Sequence, residues 1–203
     1  MSTDTPQALP EIDGERLERL HARLVTKAAA TGDLDVAYRT IDSPLGPLVL
    51  AATPEGLVRV GFVATEGEEA ILSDLSRRVS PRVLLSPGRL DKAAQQVEEF
   101  LAGRRGGFEL ALDLSLATGF RGEVVRALTR IGYGTTATYG EVAGWVGNPG
   151  AVRAVGTACA RNPLPLVLPC HRVVRGDGRI GAYLGGPEAK RRLIEIEADH
   201  DLT

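Results

Sequence analysis

Strand-forming patterns stop near residue 115 of this 203-residue chain, and only helix-forming patterns follow. Three short apolar runs at 36–41, 47–52 and 57–63 are separated by Pro/Gly turns, a pattern typical of an antiparallel meander. Two helical patterns and one further strand-like run complete this part of the chain: 66–78, 90–102 and 108–114.

The second half of the chain is predicted to be mostly helical. Its helical patterns are at residues 121–131, 138–146, 151–161 and 187–198. Thr138 and Glu141 stand at capping-box spacing at the start of the second of these helices. A Gly-containing turn joins the second helix to the third, which predicts a helix-turn-helix, although an ordinary αα-hairpin has the same spacing.

These patterns predict an α+β protein in three parts. The parts are an N-terminal extension with an amphipathic helix, an α+β scaffold domain with an antiparallel sheet, and a mostly helical domain: 1–34, 35–115 and 116–203. In the extension, Leu17, Leu20 and Leu24 fall at helical spacing between a potential N-cap, Asp13, and a potential stop, Gly32.

The charge distribution favours an anionic partner. The whole chain has a formal net charge of −2, yet residues 120–180 contain eight arginines, no lysine and only three acidic residues, a local excess of +5. Such an excess is typical of nucleic-acid binding, although a solvated surface is the alternative. The helix at 151–161 is rich in Ala and Gly, which would let its backbone approach a minor groove closely.

One stretch carries residues capable of chemistry. Cys170 and His171 follow an apolar run held by prolines at 163, 165 and 169, which predicts a stiff, buried segment. A cysteine reacts as its thiolate, and we expect the neighbouring His171 or Arg172 to lower its pKa. Side chains of adjacent residues on an extended backbone point to opposite sides, so the pair needs a bridging water or a bend. A buried structural cysteine is the alternative interpretation.

Several classes of function are disfavoured by the sequence. Cys159 and Cys170 have no further ligands nearby and do not form a zinc site. The glycines at 176–186 do not match a nucleotide-binding spacing, so we expect neither metal nor cofactor. No secretory signal is visible and no apolar stretch is long enough to span a bilayer. We therefore expect a cytoplasmic protein with reduced thiols and no membrane partner.

Several motifs, in order, resemble one family. The Pro-Cys-His-Arg-Val sequence at 169–173 is similar to the active-site signature of the O6-alkylguanine-DNA alkyltransferases, also called methylated-DNA–protein-cysteine methyltransferases. Residues 138–143 resemble the first motif helix of the family, 153–156 its recognition helix and 162–163 its hinge. The close resemblance covers about residues 118–197, and it implies a ribonuclease-H-like N-terminal domain beside the helix-turn-helix domain.

The resemblance also implies a reaction. An alkyl group would pass directly and irreversibly from O6-alkylguanine in double-stranded DNA to Cys170 after base flipping, with O4-alkylthymine as a second candidate substrate. His171 would act through a water as the base, and Glu197 would orient its imidazole. Tyr139 would hydrogen-bond or protonate the departing guanine, and Asn162 would tie the recognition helix to the active-site segment.

By the same resemblance, further residues would contact DNA or line the guanine pocket. The implied DNA contacts are Arg153, which would fill the gap left by the flipped base, with Tyr139, Ala154, Thr157 and Arg121. The implied pocket residues are Val173, Tyr183, Pro165 and Lys190. The protein would act as a monomer, with cooperativity on DNA left open. Three positions depart from the family pattern, which usually has Gln, Trp and a smaller residue at these sites: Arg121, Val125 and Leu184.

Two other functions are weighed beside alkyl transfer. A non-catalytic protein that binds alkylated DNA and recruits other repair would share the DNA-facing motifs, but such relatives lack the cysteine that is present here. A Cys-His hydrolase with no DNA role would leave the arginine excess and the small-residue helix without a purpose. Alkyl transfer is therefore the preferred hypothesis.

Overall fold

The protein is described by a computed structural model for residues 13–32 and 34–199. The polar segment at residues 1–10 lies outside the described residues. Within the described part, no helix combines the length and the apolar character that crossing a bilayer requires.

Helix α1 (Gly14–Thr31) has both of the ends that the sequence predicts. The Asp13 carboxylate accepts the backbone N–H of Glu15 at 3.2 Å, and Gly32 ends the helix with a φ of 74°. The three leucines at helical spacing are each more than half exposed. Helix α1 therefore presents an apolar side chain at each of these positions.

The remaining elements follow in chain order. The strands are β1 (Val36–Ile41), β2 (Leu48–Thr53), β3 (Gly56–Phe62), β4 (Val83–Leu85), β5 (Ala137–Thr138) and β6 (Val173–Val174). The helices are α2 (Val63–Glu66), α3 (Glu68–Arg78), α4 (Asp91–Leu101), α5 (Gly119–Ala127), α6 (Tyr139–Trp145), α7 (Val152–Ala160) and α8 (Gly186–Asp199). Single 3-10 turns lie at Pro87–Leu90, Leu128–Arg130 and Cys170–Arg172.

The larger sheet has the strand order β3-β2-β1-β4. Strands β1, β2 and β3 form the predicted antiparallel meander, with Arg39 opposite Leu50 and Leu50 opposite Val60. Strand β4 pairs in parallel with β1 at the other edge, and no sequence pattern predicted it, because three residues are too few to show a period of two.

Both faces of this sheet are covered. On β2, Leu48 and Leu50 belong to the core cluster that contains α4, whereas Val49 and Ala51 belong to the cluster that contains α3. Alternate residues of a strand point to opposite faces, so each face meets one helix. The larger cluster continues without a break into the helical part of the chain.

The prediction of a strand at residues 108–114 is wrong. Only a single isolated bridge forms there, in which the Leu57 N–H donates to the Ala111 carbonyl at 2.9 Å and the Asp113 N–H donates to the Leu57 carbonyl at 2.9 Å. Further along β3, the Val60 N–H donates to the Pro163 carbonyl at 2.8 Å. Because another segment has taken this edge of the sheet, residues 108–114 cannot pair further along it.

The helical part begins at α5 and confirms the predicted α+β class. Val124, Val142 and Val155, from α5, α6 and α7, are fully buried in the same core cluster. The predicted capping box is present at the start of α6: the Thr138 hydroxyl accepts the Glu141 N–H at 3.2 Å, and the Glu141 carboxylate accepts the Thr138 N–H at 2.6 Å. The expected pair of short helices is thus α6 and α7.

Candidate active site

The Cys-His pair lies on a turn at the end of a buried segment. Cys170 starts the 3-10 turn that leads into β6, and β6 pairs in parallel with β5. The preceding segment is buried as predicted but is not extended: the Leu168 N–H donates to the Leu164 carbonyl at 2.8 Å, and Leu166 has a φ of 73°. Leu166 is a non-glycine residue in the left-handed region, where the backbone is strained. The segment that leads into Cys170 is therefore bent, and Cys170 and His171 themselves lie on the 3-10 turn.

Asn162 connects the end of α7 to the Cys170 sulfur. Its side-chain nitrogen donates to the Leu168 carbonyl at 2.7 Å and to the Cys170 Sγ at 3.2 Å. Its side-chain oxygen accepts the Leu164 N–H at 3.0 Å. Asn162 is fully buried, so these bonds hold the Cys170 segment at a fixed distance from α7.

The pKa of Cys170 differs from the expectation. Burial raises this pKa to about 11, because the thiol is surrounded by protein and the charged form is poorly solvated. The Asn162 hydrogen bond and the Lys190 charge lower the pKa, but burial outweighs both. The expected lowering by a neighbouring His or Arg is corrected: the resting side chain is a thiol.

His171 and Glu197 form a buried pair. Nε2 of His171 lies 2.7 Å from Oε1 of Glu197, and both side chains are almost completely buried. Burial lowers the pKa of His171 against the opposing effect of Glu197, so the imidazole is neutral at neutral pH. A neutral imidazole beside a carboxylate donates from Nε2, which leaves the lone pair on Nδ1. Nδ1 is itself buried and has no hydrogen-bond partner among the described residues.

Arg172 completes the charge balance around Glu197 and was missed as a site residue. Its Nε lies 3.0 Å from each Glu197 carboxylate oxygen, and its Nη1 donates to the Ile131 carbonyl at 2.7 Å. Burial by itself would raise the pKa of Glu197, but hydrogen bonds from His171 and Arg172 outweigh burial and lower it. Glu197 is thus a charged carboxylate at neutral pH. The signal available in the sequence was the arginine next to His171.

Tyr139 is the first residue of α6 and is placed by the capping box. A Cβ on Gly181 would lie 2.2 Å from the Tyr139 hydroxyl, so the ring rests directly on the backbone of the glycine-rich loop. Burial, with smaller contributions from the nearby Cys159 and Cys170 thiols, raises the pKa of Tyr139 to about 12. The hydroxyl therefore stays protonated and can donate a hydrogen bond.

The expected pocket residues converge on the same region. The Lys190 Nζ donates to the Val173 carbonyl at 2.6 Å and lies 5.8 Å from the Tyr139 ring centroid. Val173, Pro165 and Lys190 are buried, as is Tyr183, whose hydroxyl has no hydrogen-bond partner among the described residues. Burial raises the pKa of Tyr183 well above its ordinary value. Among the described pocket residues, the Tyr183 hydroxyl is thus a buried polar group that is free to bind a ligand.

Two aromatic side chains from the sheet part also reach the site. The Phe100 ring of α4 packs edge-on against the His171 ring, with 6.1 Å between centroids. The Phe62 ring of β3 packs edge-on against Tyr183 at 5.6 Å, and Tyr183 lies 6.4 Å from His171. These contacts exclude solvent from the imidazole. No sequence signal identified them, because an isolated phenylalanine predicts only a core position.

The expected DNA contacts on α7 share one face. Arg153, Ala154 and Thr157 are exposed, whereas Val155 and Cys159 face the core. Arg121 does not lie free at the surface: its Nη2 donates to the Leu116 carbonyl at 2.6 Å, and its Nε is buried with no hydrogen-bond partner among the described residues. That Arg121 contacts a DNA phosphate stays a prediction.

Comparisons with known proteins identify the family. A family model described as 6-O-methylguanine DNA methyltransferase, ribonuclease-like domain, matches residues 36–114, and the DNA binding domain of the same family matches residues 119–199. The chain is 39% identical to the methylated-DNA–protein-cysteine methyltransferase of Mycobacterium bovis over 171 residues, which cover 83% of this chain and 98% of the relative. The chain belongs to the 6-O-methylguanine DNA methyltransferase family.

Other members of the methyltransferase family support the same assignment. The constitutive methylated-DNA–protein-cysteine methyltransferase of Bacillus subtilis is 37% identical over 161 residues, covering 79% of this chain and 94% of the relative. The crystal structure of Mycobacterium tuberculosis OGT in complex with DNA has a TM-score of 0.70 and 38% identity, with 80% and 93% of the two chains covered. The ribonuclease-like fold expected for the sheet part is thereby confirmed.

Proposed function

We propose that this methyltransferase repairs DNA by transferring an alkyl group directly and irreversibly from O6-alkylguanine to Cys170, with O4-alkylthymine as a second substrate. The observation that carries the proposal is the buried His171–Glu197 pair at 2.7 Å, adjacent in sequence to a thiol held by Asn162. A thioether is stable, so each molecule acts once.

The first step removes the proton of the Cys170 thiol. His171 donates a hydrogen bond from its Nε2–H to the Glu197 carboxylate, keeps that proton, and uses the free lone pair on Nδ1 to accept the thiol proton through a water. The imidazolium that results is stabilised by the carboxylate of Glu197. Because the pKa of Cys170 is about 11 in the resting protein, deprotonation is coupled to the arrival of the substrate rather than preceding it.

The second step forms the carbon–sulfur bond. The thiolate attacks the alkyl carbon, the bond from that carbon to O6 breaks, and its electron pair goes to the guanine. Tyr139 is protonated, because its pKa is about 12, and it donates a hydrogen bond or its proton to the departing base. Val173, Pro165, Tyr183 and Lys190 line the pocket that holds the base. The chemistry uses neither metal nor cofactor.

The DNA lies against the exposed face of α7. Ala154 and Thr157 present little bulk there, which suits close contact with a minor groove, and Arg153 fills the stack where the base has flipped out. Residues 116–203 thus bind DNA and accept the alkyl group, residues 35–115 support the site and residues 1–34 extend the chain. The protein acts as a monomer in this scheme.

Intact-mass spectrometry after incubation with a duplex containing O6-methylguanine tests the proposal. The expected result is a gain of one methyl group per protein molecule, with the methyl mapped to Cys170 and no second turnover. Cys170→Ser should show no gain. Cys159→Ala is the matched control, because Cys159 is also buried but lies on the core side of α7, and this variant should still be methylated.

The assay also separates the alternative functions. Tight binding of the methylated duplex by the folded wild-type protein, without any mass gain, would reject alkyl transfer and favour a lesion-binding protein. Repeated turnover on a small ester or amide would favour a Cys-His hydrolase.

A further inference from the structure

An arginine-lined cleft lies at the C-terminal end of α7, next to the hinge at residues 162–163. The cavity has a volume of about 510 Å³ and is bounded by β3, α3, α5, the last residue of α7 and the loop that carries Leu184. Its basic lining residues come from separate elements: Arg59, Arg77, Arg78, Arg121 and Arg161. This volume falls within the range of small-molecule sites.

The positive charge of the cleft is only partly neutralised. Arg59 pairs with Glu66, and Arg77 and Arg78 share Asp74 at 2.5 and 2.9 Å. Among the residues that the structure describes, no carboxylate lies within ion-pair distance of the other two arginines. Five guanidinium groups against two carboxylates leave an excess of three positive charges.

Two of these guanidinium groups converge on one neutral acceptor. Nη2 of Arg78 and Nη2 of Arg121 both donate to the Leu116 carbonyl, at 3.2 and 2.6 Å. Like charges this close repel each other, and one carbonyl oxygen carries only a partial negative charge to offset them. An anion between the two groups would relieve this repulsion.

Two buried donors in the same cleft lack acceptors. The Nε atoms of Arg59 and Arg121 are inaccessible to solvent and have no hydrogen-bond partner among the described residues. A buried donor without an acceptor destabilises the protein, so such groups are normally satisfied by water or a ligand.

We propose that this cleft binds a phosphate-bearing anion. The planar guanidinium group matches the geometry of phosphate oxygens, and several guanidinium groups around one cavity favour a multiply charged ligand. The phosphate comes either from a free compound such as a polyphosphate or from the backbone of bound DNA. The binding site is separate from Cys170 and does not depend on the alkyl-transfer reaction.

Occupation of the cleft would strengthen two contacts near the active site. The Val60 N–H of β3 donates to the Pro163 carbonyl at 2.8 Å, and the Thr65 hydroxyl donates to the Leu184 carbonyl at 2.8 Å. Pro163 follows Asn162, and Leu184 follows Tyr183, so the cleft walls include the hinge and the rim of the pocket. A bound anion would hold these walls together, and it should raise the thermal midpoint of unfolding.

Calorimetric titration of the full chain with pyrophosphate, at constant ionic strength set by sodium chloride, tests the proposal. The expected result is one saturable site per chain and a thermal midpoint that rises with pyrophosphate concentration. Arg121→Gln and Arg161→Gln should each weaken binding about tenfold or more, through loss of a charged donor. Arg161 is exposed, so this second variant remains informative if Arg121→Gln folds poorly.

Arg192→Gln is the matched control, because Arg192 is an exposed arginine on α8 with one loose contact to Glu195 at 3.8 Å. Wild-type affinity in this control, with loss in the two cleft variants, supports the site. Absence of saturable binding, or equal weakening in all three variants, overturns it.

A competition experiment identifies the source of the phosphate. Pyrophosphate is titrated into the protein already bound to an undamaged duplex. Unchanged pyrophosphate affinity indicates that a free compound occupies the cleft, whereas weaker pyrophosphate binding, together with weaker binding of the duplex by Arg161→Gln, indicates that the DNA backbone reaches it. Both outcomes support a phosphate-binding cleft, and they differ only in the source.

Discussion

Glu197 accepts hydrogen bonds from His171, from Arg172 and from the Gly134 N–H at 3.1 Å. The carboxylate therefore does two tasks: it fixes the tautomer of His171, and it neutralises a guanidinium that is itself buried. Only the first task could be anticipated from the sequence, since the resemblance assigned a role to Glu197 in relation to the imidazole. The contact with Arg172 depends on how α8 packs against the 3-10 turn, which no local pattern encodes.

Glu197→Gln should reduce both stability and alkyl transfer. Removing one partner of a buried ion pair leaves the Arg172 charge uncompensated, and we expect a loss of about 3–5 kcal/mol in the free energy of unfolding. The transfer rate should fall by about 10²-fold or more, because the amide stabilises the imidazolium poorly. Chemical denaturation and single-turnover kinetics measure the two effects. Glu195→Gln is the control on the same helix, because Glu195 is exposed, and wild-type behaviour is expected there.

The pH dependence of thiol alkylation checks the raised pKa of Cys170. In the DNA-free protein, the rate of carbamidomethylation of Cys170 by iodoacetamide should keep increasing up to about pH 11, since the thiolate is a minor species below that pH. Between about pH 9 and about pH 11, the Cys170 thiol keeps its proton in the folded protein but loses it in the unfolded chain. The free energy of unfolding should therefore fall as the pH rises through this range. Peptide mapping separates Cys170 from Cys159. A rate that levels off at or below pH 8 would contradict this assignment.

At the scale of elements, the sequence predicted best those features whose contacts join residues close together in the chain. The meander, the caps of α1 and the capping box of α6 all depend on residues close together in sequence. The segment at 108–114 was assigned wrongly, because its apolar character is used for packing while Pro163 occupies the strand edge. The turn before Cys170 was likewise hidden, since an apolar, proline-rich run does not reveal a residue with φ of 73° at Leu166.

The contact between α6 and the glycine-rich loop gives a prediction for Gly181→Ala. The added methyl group would lie 2.2 Å from the Tyr139 hydroxyl, so the tyrosine ring must move away from the position in which we propose that it meets the departing base. Single-turnover methyl transfer should slow by about tenfold or more, since misplacement by about 1 Å can cost 10²-fold in rate. Gly176→Ala in the same loop meets nothing within 4 Å and is the control. Equal rates in the two variants would remove Tyr139 from the reaction.

At the scale of the whole molecule, the sheet part and the helical part share a core. Leu50 of β2 and Val142 of α6 belong to one hydrophobic cluster, and Phe100 of α4 packs against His171. The change from strand patterns to helix patterns near residue 115 predicted a sheet part and a helical part. It did not predict that the two parts share a core. The contacting residues are far apart in the chain, and hydrophobic periodicity shows that a face is buried without showing what it is buried against.

A shared core predicts that damage to the sheet is detected in the helices. Leu50→Ala should lower the free energy of unfolding by about 2–5 kcal/mol, through the cavity that it leaves. Trp145 on α6 is the only tryptophan of the chain, so its fluorescence reports the helical part alone. The denaturant midpoint followed by Trp145 should shift as far as the midpoint followed by far-ultraviolet circular dichroism, because the two parts unfold together. Leu24→Ala on α1, where the side chain is exposed, should leave both midpoints unchanged. If the Trp145 midpoint is unchanged while the dichroism midpoint falls, the helical part is stable without the sheet. In that case the packing of Phe62 and Phe100 around the active site is not needed to hold His171 in place.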